Sequence, residues 1–216
     1  MLNYYYTIKQ EGSVQKIIQK SRFIGYIKRV ETEESAQAFI QEIKKNHHDA
    51  NHNCSAYIIG EQDQIQKAND DGEPSGTAGV PMLEVLKKQQ LKDTVVVVTR
   101  YFGGIKLGAG GLIRAYGSTT SQVIQDTGVV TRQLMQGISI IVDYSMLGKL
   151  ENVIRNSEHV LESINYLEQV EFLVYVKNGE EQNFHNWIID LTSDQAILSE
   201  KGTAYVENDL LPTTDD

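Results

Sequence analysis

Residues 94–127 constrain the fold more than any other part of this chain. Val95, Val96, Val97 and Val98 lead through Thr99-Arg100-Tyr101-Phe102 into a glycine-dense segment, Gly103-Gly104-Ile105-Lys106-Leu107-Gly108-Ala109-Gly110-Gly111. A valine run without polar alternation fits a strand buried on both faces. Beyond it, Leu112, Ala115, Tyr116, Thr119, Val123 and Ile124 recur at three- and four-residue spacings, as one helix face does. The expectation is a buried strand, a glycine loop and a helix in succession. That geometry aims backbone N–H groups and the positive end of a helix dipole at one spot. Arg100, Lys106 and Arg114 add positive charge around it. The loop lacks the Gly-Lys-Ser/Thr closure of a P-loop, the glycine spacing of a dinucleotide fold and a Gly-x-Ser-x-Gly elbow.

Upstream, residues 4–8, 14–20 and 23–30 read as strands. Thr32 is placed as a helix N-cap, with Glu33 and Glu34 in the first turn and an apolar stripe of Ala36, Phe39, Ile40 and Ile43. His47, His48, His52 and Cys54 precede the apolar strand Ala56-Tyr57-Ile58-Ile59. Zinc needs about four N/S ligands at pair spacings, and no second cysteine pair exists. Polar loop residues with a buried thiol are expected there, and no metal. Asp70, Asp71 and Glu73 lie in a turn-rich loop ending at Gly79, with Thr77 expected to cap a helix carrying Val80, Leu83, Val85 and Leu86. These carboxylates suit Mg²⁺ chemically but form no complete ligand set, so a solvated turn is the favoured reading.

After Gly128 the pattern resets. A strand with Ile138, Ile140 and Val142 on one face is followed by a helical stripe, a hairpin over residues 160–176, a second helix through Phe184, Trp187, Ile188 and Leu191, and a last strand. The order βαββαβ is that of a split-βαβ, ferredoxin-like sandwich. Charge shifts at the same place. Residues 1–130 hold 15 Lys and Arg against 14 Asp and Glu, whereas residues 131–216 hold 5 against 15. Domains over residues 1–130 and 131–207, with an acidic tail over 208–216, are therefore expected. An acidic second half is a poor phosphate-binding surface, which leaves any nucleic-acid contact to the first half. The single cysteine excludes an internal disulfide framework, and no signal-peptide or membrane-spanning pattern is present; a cytoplasmic protein is expected.

Asp70-Asp71-Gly72-Glu73-Pro74-Ser75-Gly76-Thr77-Ala78-Gly79, followed by Thr99-Arg100-Tyr101-Phe102-Gly103-Gly104-Ile105-Lys106-Leu107-Gly108, resembles the IMPACT family (UPF0029), whose bacterial branch is the YigZ-like proteins. The resemblance spans nearly the whole chain. It implies an α+β protein of two domains. The first would be a ribosomal protein S5 domain 2-like IMPACT domain. The second would be a ferredoxin-like DUF1949 sandwich similar to the last domains of elongation factor G. It also implies a link to translation, since eukaryotic members regulate that process.

The leading expectation is thus a non-catalytic protein that binds RNA or the ribosome, by fold-level analogy. A protein partner in the translation machinery is also expected, whereas membrane contact and DNA specificity are not. The binding groove would comprise Arg22, His52, Arg100, Lys106 and Arg114, the glycines Gly103, Gly104 and Gly108, and Tyr101 and Phe102 as stacking surfaces. The alternative is an enzyme on a small phosphorylated or anionic substrate. There the glycine loop and Arg100 would hold the anion, with Asp70, Asp71 or Glu73 as base or Mg²⁺ ligand. His52 and Cys54 form a conceivable base–nucleophile pair. No cofactor is named by these residues.

Overall fold

The valine run becomes the middle strand of an antiparallel sheet. The computed structural model describes residues 1–209, and residues 210–216 of the expected acidic tail lie outside the described residues. In chain order the first part contains β1 (Tyr4–Ile8), β2 (Gly12–Ile18), β3 (Ser21–Arg29), α1 (Glu33–Asn46), β4 (His52–Ile59), β5 (Ile65–Asn69), α2 (Gly79–Lys88), β6 (Thr94–Tyr101) and α3 (Gly108–Thr127). Then follow β7 (Val129–Val142), α4 (Leu147–Arg155), β8 (Val160–Tyr166), β9 (Val170–Lys177), α5 (Glu181–Thr192) and β10 (Ile197–Asp209). The chain divides into two compact units; Tyr5–Thr131 forms the body of one, and Met1–Tyr4 with Arg132–Glu207 forms the other.

In the N-terminal unit the strand order is β2-β3-β6-β4-β5. β6 is central and both faces of the sheet are covered, which is why its valines do not alternate with polar residues. Val96 and Val98 pack beneath α2 and α3 with Phe23, Ile27, Met82, Leu86, Tyr116 and Val123. Val95 and Val97 face α1 with Phe39, Ile40, Ile43 and Tyr57. α1 starts as expected: Thr32 accepts from Ser35 N, and Ser35 reciprocates in a capping box.

α2 departs from expectation. Thr77 does not cap it; its hydroxyl donates to Pro74 O at 2.6 Å. Asp70 does the capping, with Oδ1 accepting from Ala78 N at 3.1 Å and Gly79 N at 2.8 Å, and Oδ2 accepting from Gly76 N at 2.8 Å. Met82 and Leu86 carry the buried stripe, and Val80 is exposed. His52 and Cys54, expected in a loop, lie in β4.

The C-terminal unit has the expected order βαββαβ over β7, α4, β8, β9, α5 and β10. β9 lies between β7 and β8, and β10 pairs with β7, which gives the order β10-β7-β9-β8 of a ferredoxin-like sandwich. Ile138, Ile140 and Val142 line one face with Phe172, Val174 and Val176, against Leu150 and Ile154 of α4 and Phe184 and Ile188 of α5.

Candidate functional site

Three residues sit side by side across the end of the N-terminal sheet. Arg100 of β6 is in register with Phe23 of β3 on one side and His52 of β4 on the other. Residues so paired share a face, and here it is the face beneath α3. Arg100 is therefore carried inward, and its side chain is only 7% exposed. A buried guanidinium requires a partner. Glu73 supplies one from the acidic loop, with Oε1 2.7 Å from Arg100 Nη1 and its own side chain 3% exposed. The same oxygen accepts the hydroxyl of Tyr116, from the buried face of α3, at 2.8 Å. Arg100 Nη2 is 3.5 Å from Ser21 Oγ, and the guanidinium carbon stands 5.4 Å from the Phe23 ring centre and 5.5 Å from that of Phe102. Arg100 Nε is buried without a hydrogen-bond partner among the described residues.

His52 completes the wall. Its Nδ1 lies 2.8 Å from the carbonyl oxygen of Asp71. A carbonyl only accepts, so Nδ1 carries the proton; in the neutral ring Nε2 then presents its lone pair. That nitrogen is 3.8 Å from Glu73 Oε2. Asp71 fixes this arrangement with its side chain, accepting from Lys44 Nζ at 2.6 Å and from Asn53 N at 2.6 Å. Burial alone would raise the Asp71 carboxyl, but these two bonds outweigh it and hold it below its ordinary range.

Above the wall is a cleft of about 470 Å³, lined by Asn51, His52, Glu73, Arg100, Phe102 and the entry into α3 from Lys106 to Ala109. Gly108 opens the helix at φ +70° and Gly104 turns the loop at φ +86°, left-handed positions that favour glycine. Gly103 is required for a different reason: a Cβ there would stand 2.0 Å from Lys20 O. The N-cap of α3, Leu107, makes no side-chain cap bond, and the first turn holds no acidic residue. The free N–H groups of a 20-residue helix thus open beside the cleft.

Of the expected groove, His52, Arg100, Phe102, Lys106 and Gly108 come together with Glu73. The others do not. Arg100 is a buried, paired cation and not the surface phosphate contact expected of it, because its register position turns it under α3. Arg22 stacks on Tyr101, 4.1 Å from the ring centre. The Tyr101 hydroxyl is taken up by His47 Nδ1 at 2.8 Å and Asp49 Oδ1 at 3.1 Å, so Tyr101 is no open platform. Arg114 lines a neighbouring hollow with Leu107 and Gly111. Asp70 and Asp71 spend their oxygens on backbone N–H groups and Lys44, so neither is a free base or cation ligand. Among the described residues, no three His, Cys, Asp or Glu side chains converge to hold a metal ion. Cys54 is fully buried and donates to Asp70 O at 3.0 Å, and burial pushes its thiol far up; it is not an activated nucleophile. Sequence reasoning missed Tyr116 and Ser21 as site residues. Tyr116 carried one usable signal: a hydroxyl on an apolar helix face must find a buried partner.

A family model described as the Impact N-terminal domain matches residues 19–124, and one described as a domain of unknown function (DUF1949) matches residues 140–195. IMPACT family member YvyE of Bacillus subtilis (strain 168) is 57% identical over 207 residues, covering 96% of this chain and 95% of that protein. The chain belongs to the IMPACT family. IMPACT family member YigZ of Escherichia coli (strain K12) is 35% identical over 68% of this chain and 76% of its own length. A crystal structure described as that of a hypothetical protein superimposes with a TM-score of 0.60 at 28% identity, covering 92% of this chain and 97% of the other. The acidic loop and the glycine loop that build the cleft both fall inside the Impact N-terminal match. No helix of the described residues is long and apolar enough to cross a membrane.

Proposed function

We infer that this IMPACT family member is a cytoplasmic binding protein, that the cleft at the start of α3 takes a phosphate group, and that the ligand carrying it is RNA, free or on the ribosome. One observation carries the reading. Lys106 lies in the loop entering α3, and Arg114 folds back so that its Nη1 is 3.6 Å from where a Gly110 Cβ would stand. Cations at the N-terminal end of a helix oppose its dipole, and uncapped N–H groups there lack an acceptor. An oxyanion resolves both conflicts at once. A ligand longer than one phosphate is favoured because Arg114 borders a hollow beyond the cleft and Phe102, 46% exposed, offers a ring face at its mouth.

The test is co-sedimentation with ribosomes, together with polarisation of a labelled single-stranded RNA, over a salt series. Lys106→Ala with Arg114→Ala is the informative variant, since Arg100 is buried and its removal would confuse folding with binding. Loss of two phosphate contacts lowers the salt slope on a single strand by about 1.4. An unchanged slope and affinity in that variant refutes the reading.

A second reading, an enzyme acting on a small anionic substrate, is favoured by one specific arrangement. The Asp71 carbonyl orients His52 so that Nε2 faces the cleft beside Glu73, as a positioned general base requires. A thermal-shift screen of phosphorylated metabolites separates the two readings, because a tight small ligand raises apparent stability by mass action without any RNA.

A further inference from the structure

β4 serves two faces. Cys54, Ala56 and Ile58 point toward α2 and α3, so Ser55 and Tyr57 point toward α1. On that second face a separate cavity of about 340 Å³ runs between α1 and the β4–β5 hairpin. Gln37, Gln41 and Lys44 form its helical wall, and Ser55, Lys67 and Asn69 the other. The register explains the grouping: Ser55 is opposite Asn69 and Tyr57 opposite Lys67, so all four share one face.

The polar groups there are unevenly satisfied. At one end, the Tyr57 hydroxyl donates to Glu33 Oε1 at 2.6 Å and accepts from Gln37 Nε2 at 2.9 Å, so Glu33 is already engaged. At the other end Lys67 has no ion-pair partner among the described residues. Ser55 is 5% exposed, and its hydroxyl has no hydrogen-bond partner among them either. The ammonium groups of Lys44 and Lys67, the Ser55 hydroxyl and the amides of Gln41 and Asn69 border a hollow floored by Ile40. Among the described residues Lys67 and the Ser55 hydroxyl are left without a partner and both donate, so the complementary ligand is an oxyanion on a short carbon skeleton.

We propose that this trough is a second ligand site, for a small carboxylate- or phosphate-bearing molecule, and that Lys44 and Asp71 connect it to the cleft. Lys44 lines the trough while its Nζ holds Asp71 Oδ1, and the carbonyl of the same aspartate holds His52 Nδ1. An anion in the trough competes with Asp71 for Lys44. It thereby loosens the residue that orients His52 and anchors Asn53 N. The connection, unlike the site itself, rests on the cleft being functional.

Amide NMR of the full chain tests both parts. Inorganic phosphate and succinate are titrated separately, reading Ser55, Lys67 and Asn69 for the trough, His52 for the connection and Gly108 for the cleft. The expected result is saturable movement of the trough amides by at least one anion, with His52 following at the same midpoint. Lys67→Gln weakens that midpoint about tenfold, the worth of one bond to a charged group, and leaves the Gly108 response unchanged. Trough amides that stay still through the millimolar range overturn the site, whatever Gly108 does. A midpoint unaffected by Lys67→Gln overturns the ligand assignment. Trough amides that move while His52 does not overturn the connection.

Discussion

Truncating Glu73 probes the inner wall of the cleft most directly. Glu73→Ala leaves the Arg100 guanidinium, 7% exposed, without its carboxylate and the Tyr116 hydroxyl without its acceptor. Breaking a buried ion pair from one side costs about 3–5 kcal/mol, and an orphaned hydroxyl about 1–3 kcal/mol. Two features limit the loss. Arg100 keeps Ser21 Oγ at 3.5 Å and the ring of Phe23 at 5.4 Å, and water follows the shortened side chain in from the cleft. The net expectation is about 3–4 kcal/mol. Glu73→Gln preserves an acceptor at the same place and costs about 1–2 kcal/mol. Glu73→Leu combined with Arg100→Met removes both charges and costs less than Glu73→Ala alone. The assay is native-state amide exchange at Val96 and Val98 of β6, supported by urea denaturation followed by far-ultraviolet circular dichroism. Trp187, the single tryptophan, lies in the other unit and is not the reporter. A loss below about 1 kcal/mol for Glu73→Ala refutes the reasoning, as does a double variant as unstable as the sum of its parts.

Two further outcomes are expected. Cys54, buried beneath α3 with its thiol pushed up by desolvation, reacts with a thiol reagent only at the rate of unfolding; rapid labelling of the native chain contradicts this. In the C-terminal unit His159 packs against Phe184 and Trp187 at 4.7 and 5.5 Å, and burial lowers its pKa from 6.5 despite opposing carboxylates at Glu158 and Glu180. The unfolded chain then binds the proton more tightly than the folded one. Stability is complete above pH 6.5 and falls as pH drops through the window between that value and the folded pKa. Proton NMR of His159 with denaturation above and below pH 6.5 checks the sign, and a folded midpoint above 6.5 overturns it.

Periodicity carried much of the fold. The unbroken valines of β6, the apolar face of α3 and the Thr32 cap of α1 each reflect a local rule that the tertiary structure leaves intact. β5 was illegible because Ile65-Gln66-Lys67-Ala68-Asn69 is an edge strand with almost no buried side chain, so no alternation marks it. The cap of α2 was misassigned because Asp70 acts across eight and nine residues, while cap signatures are read from adjacent positions. The candidate site was legible as a set of residues but not in their roles. Arg100 read as surface charge because its burial depends on register with Phe23 and His52 and on a carboxylate 27 residues away. Nothing in the spacing of Asp70, Asp71 and Glu73 tells which of the three reaches it.

The three bonds from Asp70 to Gly76, Ala78 and Gly79 have a kinetic consequence. They close the acidic loop on itself through bonds from within the chain, and so hold Glu73 and Pro74 at the edge of the cleft, with the Asp71 carbonyl on His52. The ligand proposed for the cleft therefore meets contacts that are already assembled. Its association rate is then governed by diffusion and by the field of Lys106 and Arg114, and rises as salt is withdrawn. Differences in affinity between one ligand and another are left to how long each remains.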